Sequence, residues 1–245
     1  MANITEVPVS YKDSGGIELQ GYFVRDAGKA ERRPGVLVLH EWWGVTKHVR
    51  DEARYFAGLG YAAFVADLYG GGKLVDNPGD AGNLMNALMG SAATVRSRFD
   101  AAREQLAKHA TVDPARLAAS GYCMGGKIAL DMARAGADLK AVASFHGNLT
   151  PRETAQRGKV KAKVIALNGA DDPFVSADSI EAFRKEMEAA GVDYKFVNYP
   201  GAVHAFTNPE ATEKGKKFKL PLAYNAEVDR QAKAEAAKFF AAAFA

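Results

Sequence analysis

The sequence predicts an α/β fold, a doubly wound and mostly parallel sheet of about eight strands that begins with an antiparallel hairpin. Two observations predict this fold. Short, continuous apolar runs, typical of strands buried on both faces, alternate along the chain with segments of helical periodicity. Before these runs, two stretches alternate polar with apolar residues on either side of a glycine-containing turn, which is the pattern of a hairpin. Alternation of buried strands with helices after an antiparallel hairpin is typical of doubly wound sheets.

The predicted elements follow one another in a regular order. The hairpin strands are expected at residues 6–11 and 17–24. The buried strands are expected at 35–39, 62–66, 117–120, 141–145 and 164–167, followed by a last strand at 194–199. Helices are predicted at 49–59, 127–135 and 179–190, and from about residue 224 to the C-terminus. The glycine-rich stretch 70–96 is the least regular, and it is expected either over a ligand crevice or as an ordinary surface loop containing a helix.

The 245 residues are enough to bury one large core, and they contain no linker, repeat or low-complexity tract. We therefore expect a single domain over residues 1–245. The net charge of +3, from 32 basic and 29 acidic residues spread along the chain, argues against a nucleic acid or membrane partner. Neither a signal peptide nor an apolar run of the ~18 residues that span a bilayer is visible. The expectation is a cytoplasmic monomer or small homo-oligomer.

Cys123 is the only cysteine, so it cannot form an internal disulfide or a multi-thiolate zinc site. It is a buried small side chain, an intermolecular bridge or a reactive thiolate. Its context favours the thiolate, because a predicted strand leads through Gly121 and Cys123 to Gly125 and directly into a helix. In a nucleophile elbow, glycines two residues on either side relieve crowding at a strained turn, and the helix N-terminus favours a thiolate.

A nucleophile on this architecture is followed by an acid and then by a histidine, each beyond the carboxyl end of a later strand. Asp171 and Asp172 follow the strand at 164–167, and His204 follows the strand at 194–199. His204 is the only histidine after the acid loop, which makes it the candidate base. Asp172 is preferred as the acid, because Asp171 could instead stabilise the turn.

The other histidines divide into two groups. His40 and His146 end predicted strands and could line the site. His48 and His109 lie in polar surroundings and are expected to face solvent.

Four motifs together resemble the dienelactone hydrolase family, the cysteine-nucleophile branch of the α/β-hydrolases, over nearly the whole chain. They are residues 39–44 (LHEWWG), 121–126 (GYCMGG), 169–175 (GADDPFV) and 201–206 (GAVHAF). The resemblance implies an α/β-hydrolase fold and the hydrolysis of carboxylic esters or lactones through a thioester acyl-enzyme. It implies Cys123 as nucleophile, Asp172 as acid and His204 as base, without a metal or organic cofactor.

The resemblance implies further roles around this triad. Backbone N–H groups of Met124 and Trp42 match the positions that form the family's oxyanion hole. Glu41 matches a second carboxylate that helps to generate the thiolate when substrate arrives; the alternative is a helix-start carboxylate stabilised by the helix dipole. The side chains expected to line the substrate pocket are Trp43, Tyr122, His146, Phe174 and Phe206.

One departure from the family bears on the substrate. Relatives that open dienelactones hold the substrate carboxylate with two arginines, one shortly after the catalytic histidine and one after the fourth strand. Residues 204–209 contain no arginine here, and residues 70–95 contain Lys73 as their only basic residue. A bidentate anion clamp is therefore not expected, since a lysine is a poor substitute for it. A small, neutral ester or lactone is the predicted substrate.

Two other functions would use the same residues. A thiol-based redox enzyme or sensor would oxidise Cys123, although no second cysteine is present to resolve a sulfenic acid. A non-catalytic ligand-binding protein would keep the fold and the pocket without turnover.

Overall fold

The structure is a computed structural model that describes residues 2–245, and it confirms the predicted fold class. The described strands are β1 (Ile4–Lys12), β2 (Glu18–Asp26), β3 (Arg33–Leu39), β4 (Ala62–Ala66), β5 (Val112–Tyr122), β6 (Ala141–Phe145), β7 (Lys163–Gly169) and β8 (Tyr194–Tyr199). The described helices are α1 (Lys47–Gly58), α2 (Pro78–Met89), α3 (Ala92–Lys108), α4 (Met124–Arg134), α5 (Ala177–Ala190), α6 (Ala211–Phe218) and α7 (Ala226–Phe244).

The strands form an eight-stranded sheet in the order β1-β2-β4-β3-β5-β6-β7-β8. Strand β2 pairs antiparallel with both β1 and β4, whereas β3 with β4, β6 with β7, and β7 with β8 pair in parallel. The sheet is therefore mostly parallel and begins with the antiparallel hairpin that the sequence predicts. By internal packing the chain forms two compact units, one ending at Ala119 and the other comprising Ser120–Ala245. The single domain over 1–245 stays a prediction.

In the first unit, the hairpin turn is held by one side chain. Asp13 accepts hydrogen bonds from the N–H groups of Gly15 and Ile17, at 2.9 and 3.0 Å, and Gly16 has a φ of +80°. An aspartate that caps its own turn and a glycine in the left-handed region are the usual chemistry of such a connection. Strands β3 and β4 are buried on both faces and form the centre of this unit's core, against α1 and α3.

Helix α1 corrects one expectation about the histidines. His48 is only 5% exposed, so the prediction that it faces solvent is wrong. It lies on the buried face of α1, with Glu52 one turn further on and 3.5 Å away. The buried residues 48, 49, 52, 53 and 56 have helical spacing and form one face of α1. Because this face includes polar residues, the sequence did not indicate that it is buried. His109 is half-buried and stacks on Phe23.

Three helices lie in stretches that the sequence leaves irregular, and α2 lies wholly inside the stretch 70–96. Helix α3 begins inside the stretch 70–96, where Ser91 caps it by accepting a hydrogen bond from the N–H of Thr94. Helix α6 lies in the predicted loop after β8. A side chain on Gly215 of α6 would approach the Leu222 carbonyl oxygen to 2.3 Å, so close packing explains a glycine in this helix despite its low helix propensity.

In the second unit, four site candidates follow the ends of strands. Cys123 follows β5, His146 follows β6, Asp172 lies just beyond β7, and His204 lies in the loop after β8. Helix α4 packs on β6, and α7 packs on β6 and β7. The carboxyl ends of parallel strands meet at one edge of a sheet, so the fold gathers these side chains.

Within residues 2–245, none of the helices combines the length and the apolar content that crossing a lipid bilayer requires.

Candidate active site

Cys123 lies at a strained turn between β5 and α4. Its φ of 53° and ψ of −114° place a non-glycine residue in a sparsely populated region of backbone space. The turn is also crowded, because a Cβ built on Gly121 would lie 2.1 Å from the Gly125 carbonyl oxygen, and one built on Gly126 would lie 2.7 Å from the Ser144 hydroxyl oxygen. Gly121, one of the two glycines that suggested an elbow, is therefore sterically required, and so is Gly126.

Cys123, His204 and Asp172 form a continuous hydrogen-bonded chain. The Nε2 atom of His204 lies 3.0 Å from the Cys123 sulfur, and its Nδ1 atom lies 2.7 Å from Oδ2 of Asp172. The second carboxylate oxygen, Oδ1, accepts a hydrogen bond of 2.9 Å from the backbone N–H of Phe174. Asp171 is exposed, so the structure places Asp172, and not its neighbour, against the imidazole.

The surroundings of His204 favour its protonated form. Burial alone would lower the pKa of His204, but the negative charge that Cys123 carries when it is ionised and the hydrogen bond to Asp172 outweigh burial and raise the pKa to about 10. A cysteine sulfur beside an imidazolium, backed by a buried carboxylate, places a nucleophile next to a proton donor. The geometry can therefore attack an electrophilic carbon and protonate a departing oxygen.

The proton on His204 is expected to be lost only as the pH rises through about 10, in contrast to an ordinary pKa of 6.5. Because the folded-state pKa is raised, the resulting stabilisation is complete below pH 6.5 and is lost between pH 6.5 and 10. In Cys123→Ala the pKa of His204 should fall, since the thiolate charge that raises it is gone. Following the imidazole resonances of His204 by NMR in both proteins tests this; an unchanged titration in Cys123→Ala would contradict it.

The predicted pocket residues of the second unit differ in exposure. Phe174 is 50% exposed, and its ring stands perpendicular to that of His204, with the ring centres 5.0 Å apart. Tyr122, His146 and Phe206 are fully buried, Tyr122 stacking on Phe145 and Phe206 packing edge-on against His146. Phe174 is thus the one among these four whose side chain reaches solvent beside the triad. Contact of the others with a substrate stays a prediction.

His146 has protein partners at both ring nitrogens. The backbone N–H of Cys123 donates to Nδ1 at 3.2 Å, and Nε2 lies 2.8 Å from the hydroxyl oxygen of Thr207. Thr207 is fully buried and was not identified from the sequence. In the sequence, Thr207 is marked only by its position three residues after His204, and a hydroxyl residue at that spacing is too common to predict a role.

The first unit carries the predicted residues Glu41, Trp42 and Trp43 in a turn after β3. Glu41 and Trp43 are buried, and Trp42 is half-buried. Glu41 lies six residues before α1, so a helix-start role does not explain this buried carboxylate. The turn is anchored by His40, whose Nδ1 lies 2.5 Å from the Glu41 carbonyl oxygen, and by the Tyr69 hydroxyl, which donates to the Trp42 carbonyl at 2.9 Å.

Met124, the other predicted oxyanion residue, is the first residue of α4. Its backbone N–H therefore belongs to the helix N-terminus, where the partial positive charge of the helix dipole favours a developing negative charge. For metals, residues 2–245 hold no group of three or more His, Cys, Asp or Glu side chains arranged as a ligand set.

Comparison with known proteins confirms the family resemblance. The family model described as "Dienelactone hydrolase family" matches residues 19–244. The chain is 34% identical to a dienelactone hydrolase-like promiscuous phosphotriesterase from metagenomic libraries, whose crystal structure matches with a TM-score of 0.93 over 100% of both chains.

Curated relatives agree with this match. Protein usf of Aquifex pyrophilus is 30% identical over 201 residues, which are 80% of this chain and 85% of that protein. A Salmonella typhimurium protein named "Putative carboxymethylenebutenolidase" is 30% identical over 217 residues, which are 84% of this chain and 77% of that protein. With a family match that spans nearly the whole chain and a fold shared with solved members, the chain belongs to the dienelactone hydrolase family and is a hydrolase of carboxylic esters or lactones.

Proposed function

We propose that this hydrolase works through a thioester acyl-enzyme formed on Cys123, with His204 as acid and base and Asp172 as the group that orients His204. The observation that carries the proposal is the hydrogen-bonded chain from the Cys123 sulfur through both nitrogens of His204 to the Asp172 carboxylate. Nucleophile, base and orienting acid within direct hydrogen-bond reach are the requirement for covalent catalysis of acyl transfer.

The reaction divides into two halves. In the first, the Cys123 thiolate attacks the carbonyl carbon, the tetrahedral intermediate collapses to a thioester, and the His204 imidazolium gives its proton to the leaving alkoxide. In the second, neutral His204 takes a proton from water, the resulting hydroxide attacks the thioester, and the acid product leaves as the thiolate is restored. Asp172 accepts the hydrogen bond from Nδ1 of His204 throughout and keeps the ring oriented.

The oxyanion would be stabilised by the backbone N–H groups of Met124 and Trp42, as the family likeness implies. Preorganised donors of this kind commonly contribute the largest single part of the rate enhancement in acyl transfer. Glu41 is proposed as the second carboxylate that promotes formation of the thiolate when substrate binds. The match of residues 39–44 to the family motif supports this role.

The proposed substrate is a small, neutral ester or lactone. Lys73, the only basic residue within 70–95, is exposed, and residues 204–209 contain no arginine. A bidentate pair that would hold a substrate carboxylate is therefore not offered by these two segments. The apolar ring of Phe174 beside His204 instead supports an uncharged or partly apolar group next to the reacting carbonyl.

Trapping of the acyl-enzyme tests the proposal. A short-chain aryl ester is mixed with the protein, the reaction is quenched in acid within the first turnover, and the peptides are analysed by mass spectrometry. The expected result is an acyl group on the peptide containing Cys123, which disappears as free acid is released. In Asp172→Asn the adduct should form far more slowly, because His204 loses its orienting carboxylate.

The outcomes separate the competing functions. Adduct formation without release of acid would support a ligand-binding protein that no longer turns over. Turnover of hydrogen peroxide with a thiol reductant, in the absence of any acyl adduct, would support a redox enzyme. Release of acid by wild-type protein without acylation of Cys123 would overturn the proposed mechanism.

A further inference from the structure

His146, a buried histidine outside the proposed triad, links the backbone of Cys123 to the loop that carries His204. His146 follows the end of β6, is fully buried, and has a φ of 41°. Its Nδ1 atom accepts the backbone N–H of Cys123 at 3.2 Å, and its Nε2 atom lies 2.8 Å from Oγ1 of Thr207. Thr207 is on the loop that carries His204, three residues further on. The ring of His146 thus spans from the backbone of the nucleophile to the loop of the base.

The direction of these hydrogen bonds fixes the protonation of His146. A backbone N–H can only donate, so the Nδ1 atom that faces Cys123 carries no proton. A neutral imidazole then has its proton on Nε2, which donates to the hydroxyl oxygen of Thr207. An imidazolium would direct a second N–H at the N–H of Cys123 and would break the contact. The contacts therefore require the neutral Nε2–H tautomer.

The Cys123 backbone needs such support because the turn is strained. Both Cys123 and His146 have φ values in the left-handed region, at 53° and 41°. Such conformations cost free energy and persist only where the surroundings over-determine them. The Cys123 N–H is shared between the Phe145 carbonyl oxygen, at 3.0 Å, and His146, so the elbow is held by a strand and by a side chain together.

The ring also packs against the catalytic base. The centre of the His146 ring lies 5.3 Å from that of His204, with the rings steeply inclined, and 5.1 Å from that of Phe206. A shift of His146 would therefore move the nucleophile's backbone and one wall around the base at the same time. Interiors pack too tightly for such a shift to be absorbed locally.

We propose that His146 and Thr207 are positioning residues that hold the Cys123 sulfur within hydrogen-bond distance of His204. Neither contacts substrate; His146 acts through the backbone of Cys123, and Thr207 acts by fixing the ring of His146. The inference rests on the proposed function, because it assigns a purpose to the distance between Cys123 and His204. It also gives His146 a role different from lining the substrate pocket.

The matched pair Thr207→Val and Thr207→Ser tests the bridge. Valine keeps the shape of threonine and removes the hydroxyl, whereas serine keeps the hydroxyl and removes a methyl group. If the hydrogen bond matters, Thr207→Val lowers kcat about tenfold with KM changed less than about twofold, the effect of losing one hydrogen bond that acts on positioning. Thr207→Ser should keep at least about half of the wild-type kcat. Thr154→Val, at an exposed position, is the control for the substitution itself.

A spectroscopic readout distinguishes positioning from a general loss of stability. The ring nitrogens of His146, measured by ¹⁵N NMR, should show the neutral Nε2–H tautomer in wild type and in Thr207→Ser. In Thr207→Val the Nε2–H signal should shift or broaden, while the melting temperature stays close to that of Thr207→Ser. A protonated Nδ1 of His146 in the wild-type protein would overturn the assignment.

The kinetic outcomes are equally decisive. Wild-type kcat in Thr207→Val, or an equal loss in Thr207→Ser, would reject the hydroxyl bridge while leaving Cys123 as the nucleophile. Full activity of Cys123→Ala would instead reject the proposed function and, with it, the purpose of the bridge. The two failures are thereby distinguished by which variant retains activity.

Discussion

Replacement of Cys123 by alanine is expected to lower kcat for ester or lactone hydrolysis by about 10⁴-fold or more, because the variant has no nucleophile to form the thioester. His204, Asp172 and the backbone donors remain, so only binding and oxyanion stabilisation would still act on the direct attack of water. The measurement is the initial rate with an activated aryl ester at saturating concentration, compared with the wild-type protein and with buffer alone.

Cys123→Ser is the matched control for this loss. It retains a nucleophilic oxygen beside His204 and should keep part of the activity, while folding as well as the alanine variant does. Thermal unfolding of both variants shows whether a low rate reflects lost chemistry or lost structure. Activity of Cys123→Ala within tenfold of wild type would show that the thiol is not the nucleophile.

Replacement of Gly121 by alanine is expected to destabilise the protein by more than about 4 kcal/mol, or to prevent folding. The new Cβ would lie 2.1 Å from the Gly125 carbonyl oxygen and 2.7 Å from the Gly126 nitrogen. All of these atoms belong to backbone that is fixed by β5 and α4, so no flexible side chain can move aside. The free energy of unfolding, measured by urea titration, gives the magnitude.

Gly82→Ala is the matched control, because it makes the same chemical change where space is available. Gly82 lies inside α2, and a Cβ there would have no neighbour within 4 Å. Alanine is the better helix former, so the free energy of unfolding should rise by about 0.5–1 kcal/mol. If Gly121→Ala and Gly82→Ala have similar stabilities, close packing at the elbow is not what requires Gly121.

The elbow and the order of the site residues were predictable because each site residue lies directly beside a segment whose sequence predicts a strand. Glycines around Cys123 lie between a buried apolar run and a helical segment, and the acid and base each follow a later strand. The contact between His146 and Thr207 was not predictable in this way. It joins residues 61 positions apart, and it exists only because two loops meet beyond the ends of β6 and β8.

The misassigned segments show a different limit. His48 belongs to a helix whose buried face includes two ionisable side chains, so polarity was a misleading guide to exposure. Helix α3, by contrast, has apolar residues at helical spacing, which are Val95, Phe99, Ala102 and Leu106. This helix was not predicted because its first residues belong to the glycine-rich stretch 70–96. The polarity of a segment therefore did not predict which of its side chains are buried, because burial depends on what the helix packs against.

The hydrogen bond between Phe174 and Asp172 has a consequence for how substrate preference can change. Its donor is the backbone N–H of Phe174, so any residue except proline at this position would supply it. The side chain of the same residue is half exposed beside His204. The side chain at position 174 can therefore change in shape and polarity without loss of the backbone hydrogen bond that holds Asp172. Substitutions at this position can alter substrate preference while the triad geometry is kept.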